Sequence, residues 1–181
     1  MFEEAPLDRA EPNLFLHCGR KSDPNKRFHL GIHALQILDV PQDNLALVGN
    51  EPGQWGTNLG VLVDQNLAGI YSAVDFVMCT SKIEGLCLPV AEAMAAGAIP
   101  VVCNDMTTRT ELLPPSLFPE YDSVNPDPTS IASFIARFMN NEDKKREFKQ
   151  RLRDHYVANW ASRLTGRAVA QSILDVYATL T

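Results

Sequence analysis

Two carboxylates, Glu84 and Glu92, lie with seven residues between them in the stretch SKIEGLCLPVAEAMAAGAIPVV, Ser81 to Val102. If a helix opens near Leu86, Glu84 lies just before it and Glu92 about two turns into it, roughly 12 Å apart along the axis. That is too far for two acids sharing one proton. It is also long for the acid and nucleophile of a glycosidase, which stand about 5 to 9.5 Å apart. Binding hydroxyls suits the spacing better, because one carboxylate accepts hydrogen bonds from two vicinal hydroxyls. The helix opening itself, with unpaired N–H groups and the positive end of its dipole, favours an anion between the two acids. Gly85 lets a ligand come close to the backbone there.

Cations stand elsewhere in the chain. The loop Gly19 to Arg27 gathers Arg20, Lys21, Lys26 and Arg27 around turn-forming Asp23, Pro24 and Asn25. Four cations at one strand end suit a phosphate, although a loop of solvent-facing lysines would read the same way.

These groups meet only if the chain folds to bring them together. Short apolar runs, NLFLHC, NLALVG, DFVMC and AIPVVC, alternate with the helical patterns FHLGIHALQIL, NLAGIYSAV and LPVAEAMAA. That order predicts an α/β fold with a parallel sheet buried on both faces. Ligands of such sheets bind beyond the carboxyl ends of the strands. The loops to read are therefore Gly19 to Arg27, Gly49 to Gly60, Thr80 to Gly85 and Asn104 to Glu111. From Pro128 onward the pattern becomes helical, with helices expected at about Thr129 to Asn140, Glu142 to Trp160 and Leu164 to Leu180.

Composition excludes several classes. No run approaches the roughly 18 apolar residues of a membrane span, and the acidic, proline-bearing start lacks the regions of a signal peptide. A net charge of -6, from 16 basic and 22 acidic residues, argues against a general nucleic-acid binder. Cys18, Cys79, Cys87 and Cys103 form no C-x-x-C pair and read as buried reduced thiols, which fits a cytoplasmic protein. Tyr71, Phe76 and Met94 read as core, and His17, His29, His33 and His155 as packing or solvent-facing residues.

The combination of motifs carries further. TSKIEGLCLPVAEAMAAGAIPVVCND resembles the pattern S-x-x-E-G-[FL]-x-[LI]-P-x-x-E-A-M-A-x-G-x-P-V-V of the carboxyl-terminal domain of retaining GT-B glycosyltransferases, the glycosyl transferases group 1 family. HCGRKSDPNKRFHLGIHAL is similar to that family's G-R-x5-K segment, LALVGNEP to its second strand and turn, and GVLVDQNLAGIYSAVDFVMCTS to its L-x-x-l-Y-x-x-A-D stretch. The resemblance runs from about Asn13 to Leu113. It implies a Rossmann-like three-layer domain with a parallel sheet of about six strands, one half of a GT-B fold.

By the same resemblance, Arg20 and Lys26 would hold the diphosphate of a nucleotide-sugar donor and stabilise it as leaving group, with no metal or other cofactor. Glu84 would bind hydroxyls of the donor sugar and count with these two as catalytic. Glu92 would bind the ribose. The amides of Gly85, Leu86, Cys87 and Leu88 would face sugar and phosphate, and Gly19, Gly49, Asn50, Val61, Val63, Asp64 and Ser81 would complete the donor site. Two positions depart from the pattern. Cys87 stands where many relatives have glycine, and Arg27 follows the lysine where glycine is usual, there to contact phosphate or point to solvent.

The expected organisation is a linker or disordered arm over residues 1–12 and a donor-binding domain over 13–181, its C-terminal helices starting near 128. The family's amino-terminal, acceptor-binding domain has no counterpart here. The expected partners are a nucleotide sugar and an acceptor (glycan, lipid or protein) reached through that domain, with any peripheral membrane association left to it too. The alternatives are a nucleotide-sugar epimerase or sugar phosphorylase of similar fold, and a non-catalytic nucleotide-binding module.

Overall fold

Five short strands, β1 (Phe15–Cys18), β2 (Leu45–Val48), β3 (Thr57–Gly60), β4 (Phe76–Cys79) and β5 (Ile99–Val102), form one parallel sheet in the order β3-β2-β1-β4-β5. The computed structural model describes residues 13–165. Every residue of β4 and β5 is buried, as are the first three of β1, so both sheet faces are covered. That burial is why these strands appear in the sequence as continuous apolar runs.

Helix α1 (Phe28–Ile37) packs against α5 (Pro128–Met139), while α3 (Leu88–Ala96) packs against α2 (Asp64–Ala73) and α6 (Glu142–Asn159); α4 (Arg109–Leu112) is a single turn. Asp127 caps α5 by accepting from the Ser130 amide at 2.8 Å, and Asn141 caps α6 by accepting from that of Lys144 at 2.9 Å. Under α5 and α6 lies an aromatic cluster in which the Phe138 and Phe148 rings stack at 4.7 Å. No described helix is long and apolar enough to cross a membrane.

The sheet has five strands rather than about six. Beyond β5 the chain carries Pro114, Pro115, Pro119 and Pro126, which cannot donate to a strand ladder. It makes instead a 3-10 turn, Pro119–Tyr121, whose Tyr121 hydroxyl donates to the Pro100 carbonyl at 2.8 Å. β3 falls inside the segment Gly49 to Gly60 that reads as a loop, because all four of its residues are exposed and none repeats an apolar pattern. α5 and α6 lie within a residue of their expected bounds. The arm over residues 1–12 and the helix expected at 164–180 fall, wholly or nearly so, outside the described residues.

One connection is unusual. Parallel neighbours ordinarily need a crossover of about a dozen residues or more, usually a helix, yet β2 reaches β3 through residues 49–56 with no helix. This strap is pressed onto the sheet: a Cβ on Gly53 would stand 2.5 Å from Leu47, and Gly56 has φ +107°. The face a crossover helix would cover is left as a groove of about 710 Å³ between α1 and the strap, bordered by Phe28, His33, Pro52 and Trp55.

Candidate functional site

The strand order reverses between β1 and β4, which pair at Phe15–Phe76 and Leu16–Val77. In an open parallel sheet this is where the carboxyl-end loops part and leave a crevice. The loop after β1 supplies Lys26 and the loop after β4 supplies Glu84. The Lys26 Nζ donates to Glu84 Oε1 at 2.6 Å, with side chains 25% and 14% exposed. The cation and the acid nominated from separate motifs thus meet.

Backbone clamps fix this meeting. Asn25 donates to the Ile83 carbonyl at 2.7 Å and accepts from the Ile83 amide at 2.8 Å, while the Lys82 amide donates to the Asn25 carbonyl at 3.0 Å. From the loop after β5, the Thr107 hydroxyl accepts from the Glu84 amide and donates to the Glu84 carbonyl, both at 2.9 Å. Glu84 is therefore held at its backbone on both sides. Sequence reasoning marked both loops but nominated neither Asn25 nor Thr107; an amide and a hydroxyl in loops carry no periodic signal.

Arg27 does not point to solvent, its side chain being 13% exposed. Its guanidinium forms a two-pronged pair with Asp105, both contacts at 2.8 Å, and donates to the carbonyls of Thr80 at 2.7 Å and Ser81 at 3.0 Å. It binds the three loops after β1, β4 and β5 to one another. The bond to Arg27 holds the Asp105 carboxyl below the usual carboxylate range. Arg27 adopts φ +48° at the head of α1, so the glycine-like backbone persists without glycine. Lys26 and Arg20 lie outside this clamp. Arg20 is 68% exposed and pairs with Asp23 at 3.4 Å. Lys21 reaches the Val48 carbonyl at 3.4 Å, and burial pulls its pKa down.

Helix α3 opens at Leu88, two residues later than expected, with Cys87 as its N-cap residue at φ -68°. Cys87 is therefore unstrained where a positive φ would have demanded glycine. No side chain caps this helix, and no protein acceptor among the described residues pairs with the amides of Gly85, Leu86, Cys87 or Leu88. Cys87 shares a hydrogen bond with Cys79 that pushes the Cys79 thiol up and draws Cys87 down. All four cysteines are free thiols.

Most of the remaining nominated residues follow the carboxyl ends of the strands, whereas Glu92 lies further along α3. The Gly19 amide, at φ +129°, donates to the Val48 carbonyl at 3.1 Å, and the Gly49 amide, at φ +138°, to that of Gly60 at 2.9 Å. A Cβ on Gly49 would meet the Gly19 carbonyl at 2.8 Å, so these two loops touch through bare backbone. Ser81 is buried, Asn50 exposed, and Asp64 opens α2. Val61 and Val63 are 75% and 67% exposed, unusual for valine. Glu92 stands exposed in the middle of α3, over a groove it shares with Tyr71 of α2. No set of three or more His, Cys, Asp or Glu side chains among the described residues could hold a metal.

A family model described as Glycosyl transferases group 1 matches residues 2–155. O-antigen chain mannosyltransferase B of Escherichia coli is 37% identical over 59 residues, 33% of this chain and 15% of that protein. Among solved structures, sucrose-phosphate synthase from Thermosynechococcus elongatus superposes with a TM-score of 0.74 at 22% identity over 95% of this chain and 46% of its own. An Anabaena protein in complex with UDP and glucose gives 0.69 at 17%, over 94% and 49%. The catalytic domain of cholesterol-alpha-glucosyltransferase from Helicobacter pylori gives 0.65 at 16%, over 81% and 98%. The chain thus spans under half the length of the first two of these structures, and at these identities the likeness is one of fold, that of GT-B glycosyltransferases.

Proposed function

The chain belongs to the glycosyl transferases group 1 family, and from that premise we propose that it is the donor-binding half of a retaining glycosyltransferase, moving a hexosyl group from a nucleoside-diphosphate sugar to an acceptor. The observation that carries this reading is the 2.6 Å pairing of Lys26 with Glu84 at the sheet's switch point, beside four amides with no protein acceptor among the described residues. A diphosphate laid over those amides meets Lys26 at its outer phosphate, with Arg20 free to swing onto it. Positive charge there stabilises the leaving diphosphate without a metal. Glu84 then holds hydroxyls of the sugar and Glu92 those of the ribose. The acceptor enters on the face the diphosphate leaves, through an oxocarbenium-like state with no protein nucleophile. Val61 and Val63 offer apolar surface to the base.

The Anabaena relative with UDP and glucose makes UDP-glucose one of the first donors to test. The test is thermal stabilisation across UDP-, GDP-, ADP- and dTDP-sugars, with the matching diphosphates and monophosphates. One base should stand out, diphosphates should exceed monophosphates, and the effect should shrink with salt. Equal affinity for mono- and diphosphate at every salt concentration would remove the phosphate cradle.

A further inference from the structure

The groove between α2 and α3 holds about 340 Å³ and is lined mainly by Leu67, Ala68, Ala95 and Ala96, with Tyr71 at its floor and Glu92 at its rim. Tyr71 is 3% exposed, and its hydroxyl has no hydrogen-bond partner among the described residues. The other hydroxyl in the groove, on Ser72, is already engaged with the Ala68 carbonyl at 3.0 Å. A buried hydroxyl without a partner costs about 1 to 3 kcal/mol, a cost a phenylalanine of the same shape would avoid. Glu92 is the charged group lining this groove, and it acts on the Tyr71 hydroxyl electrostatically.

We propose that Tyr71 is a positioning residue for Glu92: its phenol donates to one carboxylate oxygen, so that the other is held out to the vicinal hydroxyls of a ribose. The proposal rests on the donor-site reading above and adds a residue to it. A carboxylate on an exposed helix face has many rotamers, and fixing one of them lowers the entropy lost on binding. Tyr71 suits the task because it remains a proton donor. Burial, reinforced by the negative forms of Cys18, Cys79 and Glu92, pushes its pKa far above the ordinary tyrosine value.

The test is calorimetry with UDP, GDP, ADP and inorganic pyrophosphate on the wild type, Tyr71→Phe, Glu92→Gln and the double variant. Tyr71→Phe should weaken the preferred nucleoside diphosphate by about tenfold, the worth of one charge-assisted hydrogen bond. It should leave pyrophosphate binding unchanged and the melting temperature unchanged or raised, since the free protein loses a buried hydroxyl without a partner. In the Glu92→Gln background the same substitution should change little. Unchanged nucleotide affinity in Tyr71→Phe overturns the proposal. So does an undiminished loss when Glu92 is already glutamine, or an equal loss for pyrophosphate, which would mark a general structural effect. A wild type that binds pyrophosphate but none of the nucleotides defeats the donor reading itself, and this proposal with it.

Discussion

Lys26 and Glu84 occupy each other at 2.6 Å, so in the proposed function a diphosphate arriving at Lys26 displaces a carboxylate and then lies beside it. With a sugar attached, Glu84 has hydroxyls to accept from; without one, it only repels the terminal phosphate. Glu84→Gln should therefore tighten bare nucleoside diphosphate about threefold or more while weakening the nucleotide sugar, each by interactions of roughly 1 kcal/mol. Titrating both ligands into both proteins decides it; a parallel loss for the two would show that Glu84 does not discriminate between them. His17 sets a second expectation. It is buried on β1 against Phe28, ring centroids 4.5 Å apart, with neither nitrogen hydrogen-bonded. Burial first, then Lys21, lowers its pKa to about 4. Because the folded value lies below the unfolded one, stability is full above about pH 6.5 and falls as the pH drops from there toward 4, by up to about 3 kcal/mol. His17→Leu should flatten that part of a denaturation profile. A slope between pH 6.5 and 4 as steep as the wild type's would refute the assignment.

Among the elements, β1, β2, β4 and β5 were legible because strands covered on both faces must be apolar throughout. β3 was not, because an exposed edge strand is specified by its pairing with β2 rather than by its own residues. The motif residues of the site were legible for a related reason: Lys26, Glu84 and Glu92 carry chemistry by type. The pairing of Arg27 was not legible because nothing local points it at Asp105, 78 positions away. The strap between β2 and β3 is the least ordinary connection, and its Gly56 should tolerate a side chain less well than Gly60 at the end of β3. At Gly56 a Cβ would meet Leu47 Cγ at 2.9 Å and the Leu45 carbonyl at 3.1 Å with φ +107°; at Gly60, φ is +71° and the space is open. Gly56→Ala should lower stability by about 2 to 4 kcal/mol and Gly60→Ala by about 1 kcal/mol. Melting temperatures of the two variants measure the difference, and a Gly60 variant as damaged as the Gly56 one would show that the strap is not under this constraint.

At the scale of the whole molecule, the crevice at the carboxyl edge is rimmed by apolar side chains left open: Val61 at 75%, Val63 at 67%, Ile83 at 62% and Leu88 at 52% exposure. Residues of this kind normally face a ligand or a covering surface. In the proposed function they face donor on one side and an acceptor-bearing domain on the other. Aligning an acceptor with the anomeric carbon can contribute about 7 to 11 kcal/mol of barrier reduction, and that alignment is the second domain's task. The 181 residues alone should therefore bind donor and transfer sugar negligibly, with slow hydrolysis of the donor as the residual reaction. Incubating the purified chain with its stabilising nucleotide sugar and a broad acceptor panel, with released nucleotide and transferred sugar followed separately, checks this. Released nucleotide without transferred sugar is the expected pattern, and it should rise little with acceptor concentration. Robust transfer that saturates with one acceptor would mean that this crevice binds the acceptor too, and that the apolar rim is part of a complete active site.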